Sequence, residues 1–223
     1  ITLAPERKGA LDFIKQCSEQ GVLVAIGHTA ADPGLIREAA ASGARFSTHL
    51  GNGSHNKLPR LENYLWEQLA DDSLCASLIC DGFHLPPSFI KTVFRTKSMD
   101  NLVLISDITA LAGKKPGIYL WGSMQVEVAE SGRIGLAGTP FLAGAGHDLY
   151  HGIHYLQSCL GYDFMAIVKM CTVNPAGILN LPEVSLEPKP GELANLSLCR
   201  QDKSSNMLEF ETVVLGDTVL YKK

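Results

Sequence analysis

Val22-Leu23-Val24-Ala25-Ile26-Gly27-His28 is the stretch that decides the fold: an apolar run rich in β-branched residues that stops at an imidazole. Ala44-Arg45-Phe46-Ser47-Thr48-His49 repeats the arrangement one strand and one helix later. Leu78-Ile79-Cys80 then leads into Asp81-Gly82-Phe83-His84, and Asn101-Leu102-Val103-Leu104-Ile105-Ser106 leads into Asp107. Short apolar runs of this kind read as parallel strands buried on both faces. The carboxyl ends of such strands are where α/β barrels keep their chemistry. Four successive strands therefore deliver His, His, His and Asp to one rim, the pattern of a catalytic, metal-binding constellation.

Outward from these strands the chain alternates β-rich runs with helical patterns, the signature of βα units and a parallel sheet. Pro5-Glu6 opens a predicted helix to about residue 20, with Pro placed where a missing N–H costs nothing, and Gly21 closes it. Asp32-Pro33 starts the next, through residue 41, and Gly43 ends it. Further helices are predicted over 62–71 and 87–97. With Ile1-Thr2-Leu3-Ala4 read as the end of a strand, five strands result, and the chain is expected to start inside a unit. Past Asp107 the pattern changes to short strands over 117–120, 124–129 and 134–136, the last two joined by the turn Glu130-Ser131-Gly132-Arg133. Helices over 147–160 and 163–173 follow. From Leu181 the chain is proline-rich and then β-patterned over 193–198, 208–215 and 218–221, with Gly216-Asp217 as a hairpin turn. The expected division is an α/β part over 1–180 and a small β domain over 181–223.

The chain has 223 residues, enough for one substantial core but short for a complete eight-stranded barrel. Its 46% hydrophobic and 19% charged content describes an ordinary soluble globular protein. A net charge of −4 and the lack of any Lys/Arg block give no electrostatic case for nucleic acid or an anionic membrane. No apolar stretch reaches the length of a membrane span, and the N-terminus lacks a signal pattern, so the sequence reads as cytoplasmic. Cys17, Cys75, Cys80, Cys159, Cys171 and Cys199 are widely spread without a CxxC pair and read as reduced thiols.

Neutral imidazole is the commonest zinc ligand, and a catalytic site needs about three protein ligands with one position open. Either of His28 and His49 alone reads equally well as a satisfied structural histidine; their shared strand-end placement favours ligation. Asp107 follows a strongly apolar strand, where a carboxylate is costly unless used. It could cap a helix, but Ile108-Thr109-Ala110-Leu111-Ala112-Gly113 starts no convincing one, which favours a general base. His147, His151 and His154 fall at i, i+4 and i+7 of a predicted helix, a spacing able to chelate. With no Glu after His147, as HExxH would require, they read as a partly exposed polar face.

Taken in order, Thr2-Leu3-Ala4-Pro5-Glu6, Gly27-His28-Thr29, Thr48-His49-Leu50 with Asn52, Asp81-Gly82-Phe83-His84, Ser106-Asp107, Leu136-Ala137-Gly138-Thr139, Asn174-Pro175-Ala176 and Gly191-Glu192-Leu193-Ala194-Asn195-Leu196 resemble the N-acetylglucosamine-6-phosphate deacetylase family of the amidohydrolase superfamily. The resemblance implies strands four to eight of a TIM-type (β/α)8 barrel, with a C-terminal β-sandwich segment. It makes His28 and His49 metal ligands on the fifth and sixth strands, for zinc or for iron or another divalent ion. It makes His84 a substrate-contacting histidine and Asp107 the catalytic aspartate. Asn52, with Gly53 beside it, and Arg60 fall where the family holds the sugar phosphate; a guanidinium fork suits phosphate, though a lone loop Arg is otherwise a solvated residue. The family sets the helix of His147 outside the active site, and it implies a homodimer for the complete enzyme.

Two departures stand out. After the second ligand the family reads His-Leu-aromatic-Asn-Ala-Met, whereas here the loop is His49-Leu50-Gly51-Asn52-Gly53-Ser54-His55-Asn56-Lys57. His55 and Lys57 either add phosphate contacts, signal another substrate, or belong to a solvated loop. The family's first three strands and the glutamate that completes its metal shell have no counterpart in this sequence. The reading is therefore a hydrolase that removes acetate from an amino sugar phosphate. Its alternatives are another amidohydrolase, dihydroorotase-like or acting on N-acyl amino acids, and a catalytically inactive fragment lacking the third ligand.

Overall fold

In a computed structural model, which describes residues 1–181, 187–202 and 207–223, five parallel strands form one sheet in chain order. They are β1 (Thr2–Leu3), β2 (Val24–Ile26), β3 (Ala44–Ser47), β4 (Cys75–Ile79) and β5 (Leu102–Ile105). Between them run α1 (Ala10–Glu19), α2 (Pro33–Ala41), α3 (Tyr64–Ala70) and α4 (Pro87–Thr96). Sequential order with parallel pairing at every step is what repeated βα crossovers produce, and it puts all five carboxyl ends along one rim. The strands expected from sequence are present. β1 and β5 are the outer strands of the described sheet, so the architecture is a mixed α/β fold on a parallel sheet of five strands.

Local sequence explains the elements. The Asp32 carboxylate caps α2 by accepting from the Leu35 N–H at 2.9 Å, with Pro33 in the first turn. Asn63 caps α3 by accepting from Leu65 and Trp66. The first helix starts at Ala10 rather than Pro5, because residues before it are held in turns. Glu6 accepts from Thr29 Oγ1 at 2.6 Å and from the Ala30 N–H at 2.7 Å, which pins this segment to the β2–α2 loop instead of releasing it into a helix. Apolar side chains fill both ends of the sheet. Ile14, Ile26, Ile36 and Leu74 pack beneath α1 and α2; Leu78, Ile90, Leu104 and Ile167 pack at the β4–β5 end. Gly27 lets strands approach closely: a Cβ there would sit 2.6 Å from Thr2 Cγ2 and 3.0 Å from Thr48 Cβ.

Past the parallel sheet, β6 (Gly117–Trp121), β7 (Met124–Val128) and β8 (Ile134–Leu136) form a separate antiparallel sheet around Leu111, Val126, Val128 and Ile134. The next helix, α5 (Leu149–His154), begins after His147, because Asp148 serves as its cap and accepts from the His151 N–H at 3.0 Å. It gives way to a π-helical turn over Tyr155–Cys159. α6 (Phe164–Cys171) is followed by α7 (Val173–Ile178), a helix the sequence reading did not separate. Thr172 breaks the two apart, and the Asn174 amide locks the second by donating to the carbonyls of Met99 and Leu102, both at 2.8 Å. The C-terminal strands β9 (Asn195–Gln201), β10 (Leu208–Leu215) and β11 (Thr218–Lys222) form a three-stranded antiparallel sheet with the expected hairpin at Gly216-Asp217. Residues 182–186 of the proline-bearing stretch, which abut the expected boundary at 180/181, lie outside the described residues. Among the described residues no helix is long and apolar enough to cross a membrane.

Candidate active site

Three residues just past β2, β3 and β5 leave the sheet in the left-handed region: His28 at φ 51°, His49 at 32° and Asp107 at 51°. Non-glycine residues adopt this conformation at a cost and mostly where the surrounding structure imposes it. Here the imposing contacts are visible. The His49 N–H donates to Ser77 Oγ at 2.7 Å, and the next N–H, of Leu50, donates to the Ser77 carbonyl at 2.8 Å. Ser77 is only 2% exposed; one polar residue inside β4 thus fixes the turn carrying His49. The Asp107 carbonyl accepts from the Ala145 N–H at 3.1 Å, and the Thr109 N–H donates to the Ala145 carbonyl at 3.0 Å. Gly144 permits that approach, since a Cβ on it would fall 2.2 Å from Thr109 Cγ2.

His28 and His49 converge. Their Nε2 atoms are 2.9 Å apart and their rings nearly perpendicular, at 86°. Gly53, at φ 65°, runs against the His28 ring, and a Cβ there would lie 3.0 Å from Nδ1. Burial pushes the His49 imidazole below the ordinary histidine value; the charges of His28 and His84 act in the same direction and Asp107 opposes them. His28, His84 and Asp107 thus all lie within electrostatic reach of His49. His84 is held by its neighbour Asp81, whose carboxylate accepts from His84 Nδ1 at 2.7 Å and from the N–H groups of Phe83 and His84 at 2.9 Å each. Burial alone raises the Asp81 carboxyl, but the bonds from His84 and Phe83 hold it below its usual value. An ionised carboxylate only accepts, so Nδ1 carries the hydrogen, which in the neutral imidazole leaves Nε2 with a lone pair for a ligand.

The loop after β3 divides. Asn52 Nδ2 is buried with no hydrogen-bond partner, a donor held ready. His55 is tied back to α3, its N–H and its Nδ1 each 2.9 Å from the Tyr64 hydroxyl, while the residue itself stays exposed, as a solvated loop requires. Lys57 and Arg60 are exposed. Among the described residues no hydrogen bond or ion pair joins Arg60 to the rim residues. His147 and His151, read from sequence as part of a partly exposed polar face, are half-buried; they stack on each other with ring centroids 3.8 Å apart, and His147 stacks on Phe83 at 5.7 Å. Sequence reasoning missed Ser77, the bracing role of Asp81 and the stack at Phe83. A lone Ser within Cys75-Ala76-Ser77-Leu78-Ile79 was the available signal for the first.

Two converging imidazoles on braced turns suit a borderline divalent ion such as zinc. They cannot both carry a proton on the facing nitrogens, and His49 Nδ1 is buried without a partner, a polar atom still to be satisfied. The pair fits as part of a metal shell. Among the described residues no group of three or more His, Cys, Asp or Glu completes it.

No protein-family model matches the chain. N-acetylglucosamine-6-phosphate deacetylase of Bacillus subtilis (strain 168) is 29% identical over 202 residues, covering 91% of this chain and 50% of that protein. The Lysinibacillus sphaericus protein of the same description is 32% identical over 181 residues, 81% of this chain and 46% of the relative. Among solved structures, a variant of the Mycobacterium smegmatis deacetylase in complex with N-acetyl-D-glucosamine-6-phosphate superposes with a TM-score of 0.82 at 29% identity, covering 98% of this chain and 56% of that one. The chain spans about half the length of the curated relatives it matches. In sequence and in fold it is similar, over most of its length, to the C-terminal region of the N-acetylglucosamine-6-phosphate deacetylases.

Proposed function

We propose that this chain carries the C-terminal share of the active site of an amide hydrolase that releases acetate from N-acetylglucosamine-6-phosphate, leaving glucosamine-6-phosphate. The observation that carries the reading is the meeting of His28, His49, His84 and Asp107 at one rim, each on a turn fixed by hydrogen bonds or close packing. The complex of the M. smegmatis relative with that sugar phosphate supports the substrate class. The five-stranded sheet serves as part of a barrel in this reading.

His28 and His49 would hold a divalent ion, most readily zinc, whose Lewis acidity polarises a carbonyl and favours ionisation of water. Asp107 takes a proton from the attacking water and delivers it to the departing amine; its backbone carbonyl is anchored by the Ala145 N–H, which leaves the carboxylate able to turn on its side chain. His84, with Nδ1 committed to Asp81, offers Nε2 to the substrate. The free Nδ2 of Asn52 and the Arg60 guanidinium recognise the phosphate end, Arg60 by a charge-assisted fork. The test is amine release from N-acetylglucosamine-6-phosphate by the zinc-supplemented protein. Asp107→Asn should lower turnover by a factor on the order of a hundred or more. Near-normal turnover in that variant would remove Asp107 from the chemistry.

A second reading, in which the chain is not a catalyst by itself, is favoured by one observation: the two imidazoles find no third ligand among the described residues. Stoichiometric, tightly held zinc by elemental analysis of the purified chain would dismiss it.

A further inference from the structure

His147 stands at a junction of three elements. Its Nε2 lies 3.1 Å from the Ser131 carbonyl in the β7–β8 turn and donates to it. Gly132 in that turn, at φ 81°, leaves room for the ring: a Cβ there would fall 2.6 Å from His147 Cε1. One face of the His147 ring lies parallel to Phe83, 7° between planes, and it is also parallel to His151, 11° between planes. Phe83 is the central residue of the turn from Asp81 to His84. The backbone of Asp81 lies against the His151 imidazole, and burial and the neighbouring His147 hold that imidazole below its ordinary value. The helix bearing His151 is itself seated on the sheet, where Gly152 faces Leu104 and the Cys80 carbonyl.

We propose that the Phe83–His147–His151 stack is a brace that keeps the Asp81–His84 turn closed. His147 and His151 are thereby positioning residues, acting through Asp81 on the tautomer of His84. The functional importance of the brace rests on the reading of His84 as a substrate-facing group. The physical case is independent of it. Within itself the turn is held by three hydrogen bonds to one carboxylate, and Gly82 at its second position, with the Tyr155 ring close against it, brings no side chain of its own. An aromatic clamp on Phe83 restrains the bulky group of the turn that makes no hydrogen bond through its side chain and is 38% exposed.

The test is amide hydrogen exchange on the full chain, followed residue by residue, with the ¹⁵N shifts of His84 reporting its tautomer. In His147→Ala the Phe83 and His84 amides, both bonded to Asp81, should exchange roughly three- to tenfold faster, the range expected for losing one ring-stacking contact. The Leu78 and Ile79 amides of β4 should not change, the Nδ1–H form of His84 should lose population, and Phe83→Leu should reproduce the effect from the other end. His147→Phe, which restores a ring without the imidazole, should recover the protection. Unchanged Phe83 and His84 protection in His147→Ala, an equal loss at Leu78 and Ile79, or no recovery with Phe would each overturn the brace. His84→Asn assayed in parallel separates the two readings: normal turnover there would refute the substrate role of His84 while leaving the exchange result to judge the brace.

Discussion

Asp81→Asn is the most discriminating single change in this protein. The carboxylate is 6% exposed and accepts three hydrogen bonds, from the Phe83 N–H, the His84 N–H and His84 Nδ1. Asparagine keeps one oxygen for the two N–H groups but presents an NH2 to Nδ1, donor against donor. The charge-assisted bond is lost, at about 1.5–3 kcal/mol. For a chain of this length that lowers the melting temperature by roughly 3–12 °C. To relieve the clash His84 must move its hydrogen to Nε2, which reverses the polarity it shows at the rim. The sign of the pH dependence is determined by the same carboxyl. Its folded value is held below the ordinary one, so its contribution is complete above an unfolded value of about 4 and is lost as pH falls through the lower folded value. Urea unfolding of wild type and Asp81→Asn should therefore differ most between pH 5 and 7, and the gap should narrow as pH drops from about 4 towards 2. A gap independent of pH, or none at neutral pH, would refute the assignment of Asp81 as an ionised acceptor locking His84.

Ser77→Ala removes the partner of the buried His49 N–H and should cost about 1–3 kcal/mol in urea unfolding; wild-type stability would mean the left-handed turn at His49 is held by something else. Gly53→Ala places a Cβ 3.0 Å from His28 Nδ1 at φ 65°; about 1–2 kcal/mol of backbone strain is expected in thermal melts, with weaker zinc binding by titration calorimetry as His28 is displaced. Arg60→Ala should lower kcat/KM ten- to hundredfold on the phosphorylated sugar, the worth of one charge-assisted hydrogen bond, and scarcely at all on N-acetylglucosamine. An equal loss on both substrates would assign Arg60 to loop support.

The linear sequence by itself determined the alternation of βα units, the five strands and the rim residues that end four of them, because burial on both faces demands continuous apolar runs and a polar residue at the end of such a run is conspicuous. The start of α2 at Asp32 was legible for the same local reason, its carboxylate accepting from an N–H three residues on; Asn63 and Asp163 cap their helices in the same way, although the sequence reading had not singled them out. The start of α1 and the separation of α7 were not legible, since Glu6 is drawn to Thr29 and Ala30 and Asn174 to Met99 and Leu102, partners remote in the chain. The same holds at the site. His28, His49, His84 and Asp107 could be picked out one by one, but which nitrogen faces which, and what fixes each turn, came only from folding. Ser77 reaches His49 across 28 positions of sequence, and His147 meets Phe83 from a separate element. Hydrogen bonds and ring stacking are short-ranged and directional, so they exist only once strand register and helix docking have brought their partners within about 3–6 Å. Periodicity carries the elements; only tertiary packing decides which of their polar groups meet.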